Sequence, residues 1–178
     1  MNQTMSRRFA AWVLALAGCL PMSHALSKGH THNDHAHEHG FGQVNVIQDG
    51  PQVSIDLDSP LHNILGFEHA PKTAQDKAKV KQAKAFLAAP MWIFNPEAKC
   101  FIQGSVHIDS DLLKPQKEHD DVSVRWVFQC QTPSALKSVE FVGFQAFPEL
   151  QTLKVQAVLP TKQFGTQLTP SKPRLDLK

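Results

Sequence analysis

The chain has 178 residues, of which 42% are hydrophobic and 19% are charged, which predicts one globular domain. Residues 1–25 hold two of the 18 basic residues and none of the 16 acidic ones, so the remainder is balanced at 16 of each. That balance excludes the basic surface typical of nucleic-acid binding. No run of about 18 apolar residues follows residue 25, which excludes a membrane-spanning helix in the mature chain.

Residues 1–25 have the pattern of a signal peptide. A short basic head precedes the apolar run 9–17, and Ser23 and Ala25 are small residues at the positions that a signal peptidase reads. This predicts cleavage after Ala25. An alternative stays open, because residues 16–19 resemble a lipobox that would anchor the chain to a membrane through a lipid on Cys19. Both routes place the folded part outside the cytoplasm of a bacterium, and cleavage after Ala25 predicts the periplasm.

Residues 26–40 form a polar segment rich in histidine, called the tract below. It has no apolar periodicity, so we expect it to be mobile and not to fold alone. Neutral imidazoles that alternate along an extended chain lie on one side and offer their lone pairs to a single ion, and Zn²⁺ takes about four such ligands. Imidazole also suits copper and nickel, so a buffer for those metals is an alternative. The predicted ligands in the tract are His30, His32, His35, His37 and His39.

Residues 41–178 are predicted to form one α+β domain. Val44 and Val46, a turn at Asp49-Gly50, and the alternating Val53, Ile55 and Leu57 predict a hairpin. Residues 61–71 are expected to form a loop. The capping box at residues 73–76 opens a helix that ends at Ala89, before Pro90.

The second half of the domain has mainly strand patterns. Strands are predicted over 139–142, 153–159 and 164–168, with a helical turn at Phe144 and Phe147. The fold class is therefore predicted as α+β, an antiparallel sheet with one main helix packed on a face.

The two remaining cysteines lie on the apolar faces of two more predicted strands. Cys100 alternates with Ile102, Val106 and Ile108 on one strand, and Cys130 ends the other. In an oxidising compartment an even pair predicts a Cys100–Cys130 disulfide. A pair of zinc thiolates is the alternative, although the cysteines lack the close spacing of zinc knuckles.

Two further histidines lie beside carboxylates, in Glu68-His69 and in His119-Asp120-Asp121. We expect Glu68, His69 and His119 to gather at one end of the sheet as a second metal site; the alternative is that each histidine bonds to its own loop. His62 and His107 have no such neighbour. The chain has no dedicated nucleophile and no rigid metal motif, so we predict that it is not an enzyme. A metal-dependent enzyme using His69 and His119 is a weaker alternative.

Besides the tract, the chain has a series of short motifs: Ser59-Pro60, Asn63, Gly66-Phe67-Glu68-His69, Pro71, Ala98, Cys100, His119, Asp121, Cys130, Phe147-Pro148, Val155-Gln156 and Leu168-Thr169-Pro170. Together with the tract, these motifs resemble the ZrgA family of periplasmic zinc-uptake proteins. The resemblance covers nearly all of the mature chain. It implies that the protein is a zinc-binding accessory of an ABC importer and not an enzyme, and that it carries Zn²⁺ as cargo. We expect the protein to be a monomer.

Overall fold

The computed structural model describes residues 38–109 and 120–178. The predicted signal peptide, four of the five tract histidines and His119 lie outside this part. The α-helices and strands of this part are, in order, β1 (Phe41–Asp49), β2 (Gln52–Pro60), α1 (Leu61–Leu65), α2 (Ala74–Leu87), β3 (Trp92–Phe94), β4 (Cys100–Ile102), β5 (His107–Asp109), β6 (Asp121–Cys130), β7 (Ser138–Phe141), β8 (Thr152–Leu159), β9 (Lys162–Leu168) and β10 (Arg174–Asp176). The fold class is α+β, as predicted.

Seven strands form one sheet in the order β4-β6-β2-β1-β8-β9, with β5 also paired to β6. β1 and β2 form the predicted hairpin, in which Val44 lies opposite Leu57 and Val46 opposite Ile55. All neighbours in this sheet are antiparallel except β1 and β8, which run parallel. The prediction of an antiparallel sheet therefore holds for most of it, and β1 lies in the interior of the sheet.

The core packs against one face of this large sheet. Trp126 and Phe128 of β6 contact Trp92 and Phe94, which belong to a smaller antiparallel sheet ordered β10-β7-β3. The main helix, α2, buries one face in the same core through Val80, Ala83 and Leu87. Removing this apolar surface from water is the main stabilising contribution to the fold.

α2 begins at the predicted capping box. The hydroxyl of Thr73 accepts from the N–H of Asp76, and the Asp76 carboxylate accepts from the N–H of Thr73. The hydrogen bond from the Thr73 backbone lowers the pKa of the Asp76 carboxyl. The helix ends at Leu87, two residues before the predicted end, because the residue preceding Pro90 is disfavoured in helical conformation.

Two local predictions are wrong. Leu61–Leu65 forms the short helix α1 and not a loop, because the spacing of its leucines and Ile64 buries one helical face. Gly66, at φ 76°, ends this helix and donates its N–H to the carbonyl of His62. The predicted continuous strand from Cys100 to Ile108 is divided into β4 and β5, with Gly104 at φ 75° between them.

Cys100 and Cys130 form the predicted disulfide. They lie directly opposite each other in β4 and β6, with 3.8 Å between their Cα atoms. Their sulfurs are therefore bonded to each other and are not a pair of zinc thiolates.

No helix within the described residues is long and apolar enough to cross a membrane.

Candidate metal-binding site

The last two residues of the tract, His39 and Gly40, lie against α1. The side chain of Asn63, which is buried, accepts from the N–H of Gly40 at 2.7 Å and donates to the carbonyl of Phe41 at 2.8 Å. It also donates to the hydroxyl of Ser59 at 3.1 Å. One amide group therefore fixes the point at which the tract enters β1.

Replacing Asn63 with alanine should destabilise the domain by about 2–3 kcal/mol, because Gly40 and Phe41 lose their hydrogen-bond partner in a part-buried site. Urea unfolding of the variant and the wild type measures the difference. The matched control is Asn45→Ala on the exposed side of β1, expected to change the free energy of unfolding by less than about 0.5 kcal/mol. An Asn63→Ala effect as small as that of the control would contradict the prediction.

His39 is the tract histidine that the structure describes, and it contacts the domain through two side chains. Its Nε2 lies 2.9 Å from Oε1 of Glu68, so the imidazole N–H donates to the carboxylate. Its ring stacks on that of His62, with centroids 4.1 Å apart and planes 12° apart. The His39 side chain is 51% exposed and that of Glu68 20%, so the pair is accessible to a metal from solvent.

His62 is a member of this cluster that sequence reasoning missed. Its Nδ1 is buried and has no hydrogen-bond partner among the described residues. A buried polar atom without a partner costs about 1–3 kcal/mol, so this nitrogen would gain from a ligand. One pattern in the sequence could have indicated His62. The spacing of the apolar residues in α1 predicts a short helix, and that helix fixes the position of the His62 side chain.

The predicted companions of Glu68 lie elsewhere or outside the described residues. Nδ1 of His69 donates to the carbonyl of Ala70 at 2.9 Å, and its ring stacks on Phe67 with centroids 4.7 Å apart. His69 therefore bonds to its own loop, which was the alternative interpretation. His119 lies outside the described residues, so its grouping with Glu68 and His69 stays a prediction.

Within residues 38–109 and 120–178, no three histidine, cysteine or carboxylate side chains are already placed to hold one metal ion. At the His39 cluster the reason is geometric. A metal ion lies close to the plane of each imidazole that binds it, and two stacked, nearly parallel rings cannot share such a position.

The outer face of the large sheet has a second group of polar side chains. A cavity of about 350 Å³ there is lined by residues that include His107, Asp56, Asp58 and Arg125. Asp56 accepts from Arg125 and raises the pKa of that guanidinium, and Asp58 accepts from the hydroxyl of Ser123. Two of the carboxylates that line this cavity therefore already have hydrogen-bond partners within the protein.

The chain matches the model of one protein family over most of its length. The family model described as ZrgA family zinc uptake protein matches residues 36–177, which is most of the chain. The chain belongs to the ZrgA family. No curated protein gives a match.

Membership in the ZrgA family gives the chain a role in zinc uptake. Zinc is therefore the metal that its histidines are considered to bind in the sections below. The region matched to the ZrgA family begins at residue 36. It therefore contains His39, His62 and Glu68, together with the last part of the tract, while His30, His32 and His35 precede it.

Proposed function

We propose that this protein is exported to the periplasm, captures Zn²⁺ through the histidine tract and supports zinc import by an ABC transporter. One observation carries the proposal: the last histidine of the tract is held against Glu68 and His62 of the folded domain. An ion bound near the end of the tract thus lies beside further ligand atoms. The zinc-uptake role of the ZrgA family supports zinc as the cargo.

In this function the protein is a monomeric binding module and not an enzyme. Five imidazoles in the tract offer several overlapping sets of ligands for one ion, and a set of this kind can exchange one ligand at a time. Zinc is therefore captured without the opening of a rigid cage and is released by the same stepwise exchange. That property suits a protein that hands its ion to an importer.

Growth under zinc chelation tests the proposal. A strain that lacks the protein should grow poorly with a zinc chelator, and the wild-type gene should restore growth. A gene in which His30, His32, His35 and His37 are changed to asparagine should restore much less. The control is His107→Asn, which changes an exposed histidine on β5 and should restore growth fully.

Full restoration by the variant with four asparagines would refute capture by the tract. Competition binding with zinc, copper and nickel on the purified chain tests the metal. Growth that depends on the protein in copper or nickel limitation, and not in zinc limitation, would favour the alternative of a copper or nickel buffer.

A further inference from the structure

We propose that His39, His62 and Glu68 form a zinc site on the folded domain that receives the ion from the tract. The inference rests on the proposed function and adds a receiving site to it. His39 belongs to both parts, because it is the last histidine of the tract and is already bonded to Glu68. The ion takes the place of the proton between these two side chains, and that proton leaves to water.

The distance between His39 and Glu68 is close to what one zinc ion needs. Zinc bonds of about 2.0 Å in a tetrahedron place two ligand atoms about 3.3 Å apart. Nε2 of His39 and Oε1 of Glu68 are 2.9 Å apart, so the pair has to open by about 0.4 Å. Because both side chains are partly exposed, this movement does not disturb the apolar core.

His62 becomes the third ligand when one of the two stacked rings turns about its Cβ–Cγ bond. The turn removes the stacking contact, but it breaks no hydrogen bond at Nδ1 of His62, because that atom has no partner among the described residues. A bond from Nδ1 to zinc offsets the lost contact between the rings, because it gives this buried nitrogen a partner. The stacked arrangement is then the metal-free state of the site.

Two imidazoles and one carboxylate leave the fourth position of a tetrahedral zinc ion open. A histidine of the tract can occupy this position while the ion moves, and water can replace it afterwards. The site therefore receives zinc by ligand exchange and does not need a free ion in solution. His69 is not in the set because its ring stacks on Phe67 and has no contact with His39 or His62 among those described.

The test starts from a full chain in which His30, His32, His35 and His37 are changed to asparagine, so that His39 is the last tract histidine left. Titration calorimetry with Zn²⁺ at pH 7 should show one ion per chain. In this background His62→Ala should weaken zinc binding at least tenfold. Glu68→Gln should do the same, although its amide oxygen still accepts a hydrogen bond from His39.

The matched control is His69→Ala, which removes a histidine next to Glu68 in sequence and should change the zinc affinity by less than twofold. Thermal unfolding of each metal-free variant shows whether the domain remains folded. Glu68→Gln keeps the test valid if His62→Ala does not fold, because Glu68 lies at the surface end of the cluster and is not part of the core.

Nuclear magnetic resonance adds a readout that depends on the arrangement of the rings. Zinc should shift the ring-proton signals of both His39 and His62, because the stacked rings separate, and should leave those of His69 in place. Unchanged signals from His62 on saturation with zinc would overturn its role as a ligand.

Two other outcomes would overturn the receiving site. One is no zinc binding by the background variant, and the other is a loss with His69→Ala as large as with His62→Ala. If the wild-type chain still binds zinc in that case, the proposed function stands without this site. If the wild-type chain binds no zinc either, the proposed function itself fails.

Discussion

Zinc bound by three tract imidazoles should lose about 600-fold in affinity between pH 7 and pH 5.5. A free imidazole with a pKa of about 6.5 is about three-quarters neutral at pH 7 and about one-tenth neutral at pH 5.5. Each ligand is therefore available about eightfold less at the lower pH, and three ligands multiply this factor. The direction follows because protons and zinc compete for the same lone pairs.

The folded domain should survive the same change. The buried polar side chains among the described residues are Ser59, Asn63 and Ser138, and none of them titrates. Titration calorimetry at the two pH values measures the loss of zinc, and circular dichroism at both checks the fold. The variant with asparagine at His30, His32, His35 and His37 is the control, and it should lack the tract component at both pH values. A loss of less than tenfold in the wild type would contradict binding by the tract.

Loss of the Cys100–Cys130 bridge should destabilise the domain by about 3–4 kcal/mol. The bonded cysteines are 30 positions apart in sequence, and the loss of chain entropy on closing a loop of this length gives that magnitude. Since domains are stable by only about 5–15 kcal/mol, the bridge supplies a large share of the total.

Urea unfolding with and without a thiol reductant measures the contribution of the bridge. The double variant Cys100→Ala and Cys130→Ala should match the reduced wild type. Adding reductant to this double variant should have no effect, which controls for effects of the reductant on the rest of the chain. If the free energies of unfolding of the oxidised and reduced wild type differ by less than about 1 kcal/mol, the prediction is wrong. The hydrogen bonds between β4 and β6 would then hold these strands together without the bridge.

Local patterns in the sequence predicted a large part of the fold. The alternation of Val53, Ile55 and Leu57 predicted β2 because one face of the strand is buried and the other is not. The turn at Asp49-Gly50 then predicted its pairing with β1. The strands β3 and β10 were missed because three residues are too few to show alternation. The parallel pairing of β1 with β8 joins distant parts of the chain, and no local pattern encodes it.

The candidate site was predicted less completely, for a related reason. Glu68 and His69 are adjacent in sequence, which predicts a shared site, yet their side chains have different partners. His62 has no carboxylate next to it in sequence, so its sequence neighbours do not indicate a metal site. The fold supplies its neighbour instead: the hairpin and Asn63 bring His39 onto its ring. Contacts of this kind depend on tertiary structure and not on spacing.

The position of β1 also has a mechanical consequence for the tract. β1 pairs with β2 on one side and with β8 on the other, over seven residue pairs in each case. A pull directed along the axis of β1 would be shared in shear by the hydrogen bonds of two ladders and would not open them one at a time. Under a load in that direction, the whole domain would move before β1 came out of the sheet.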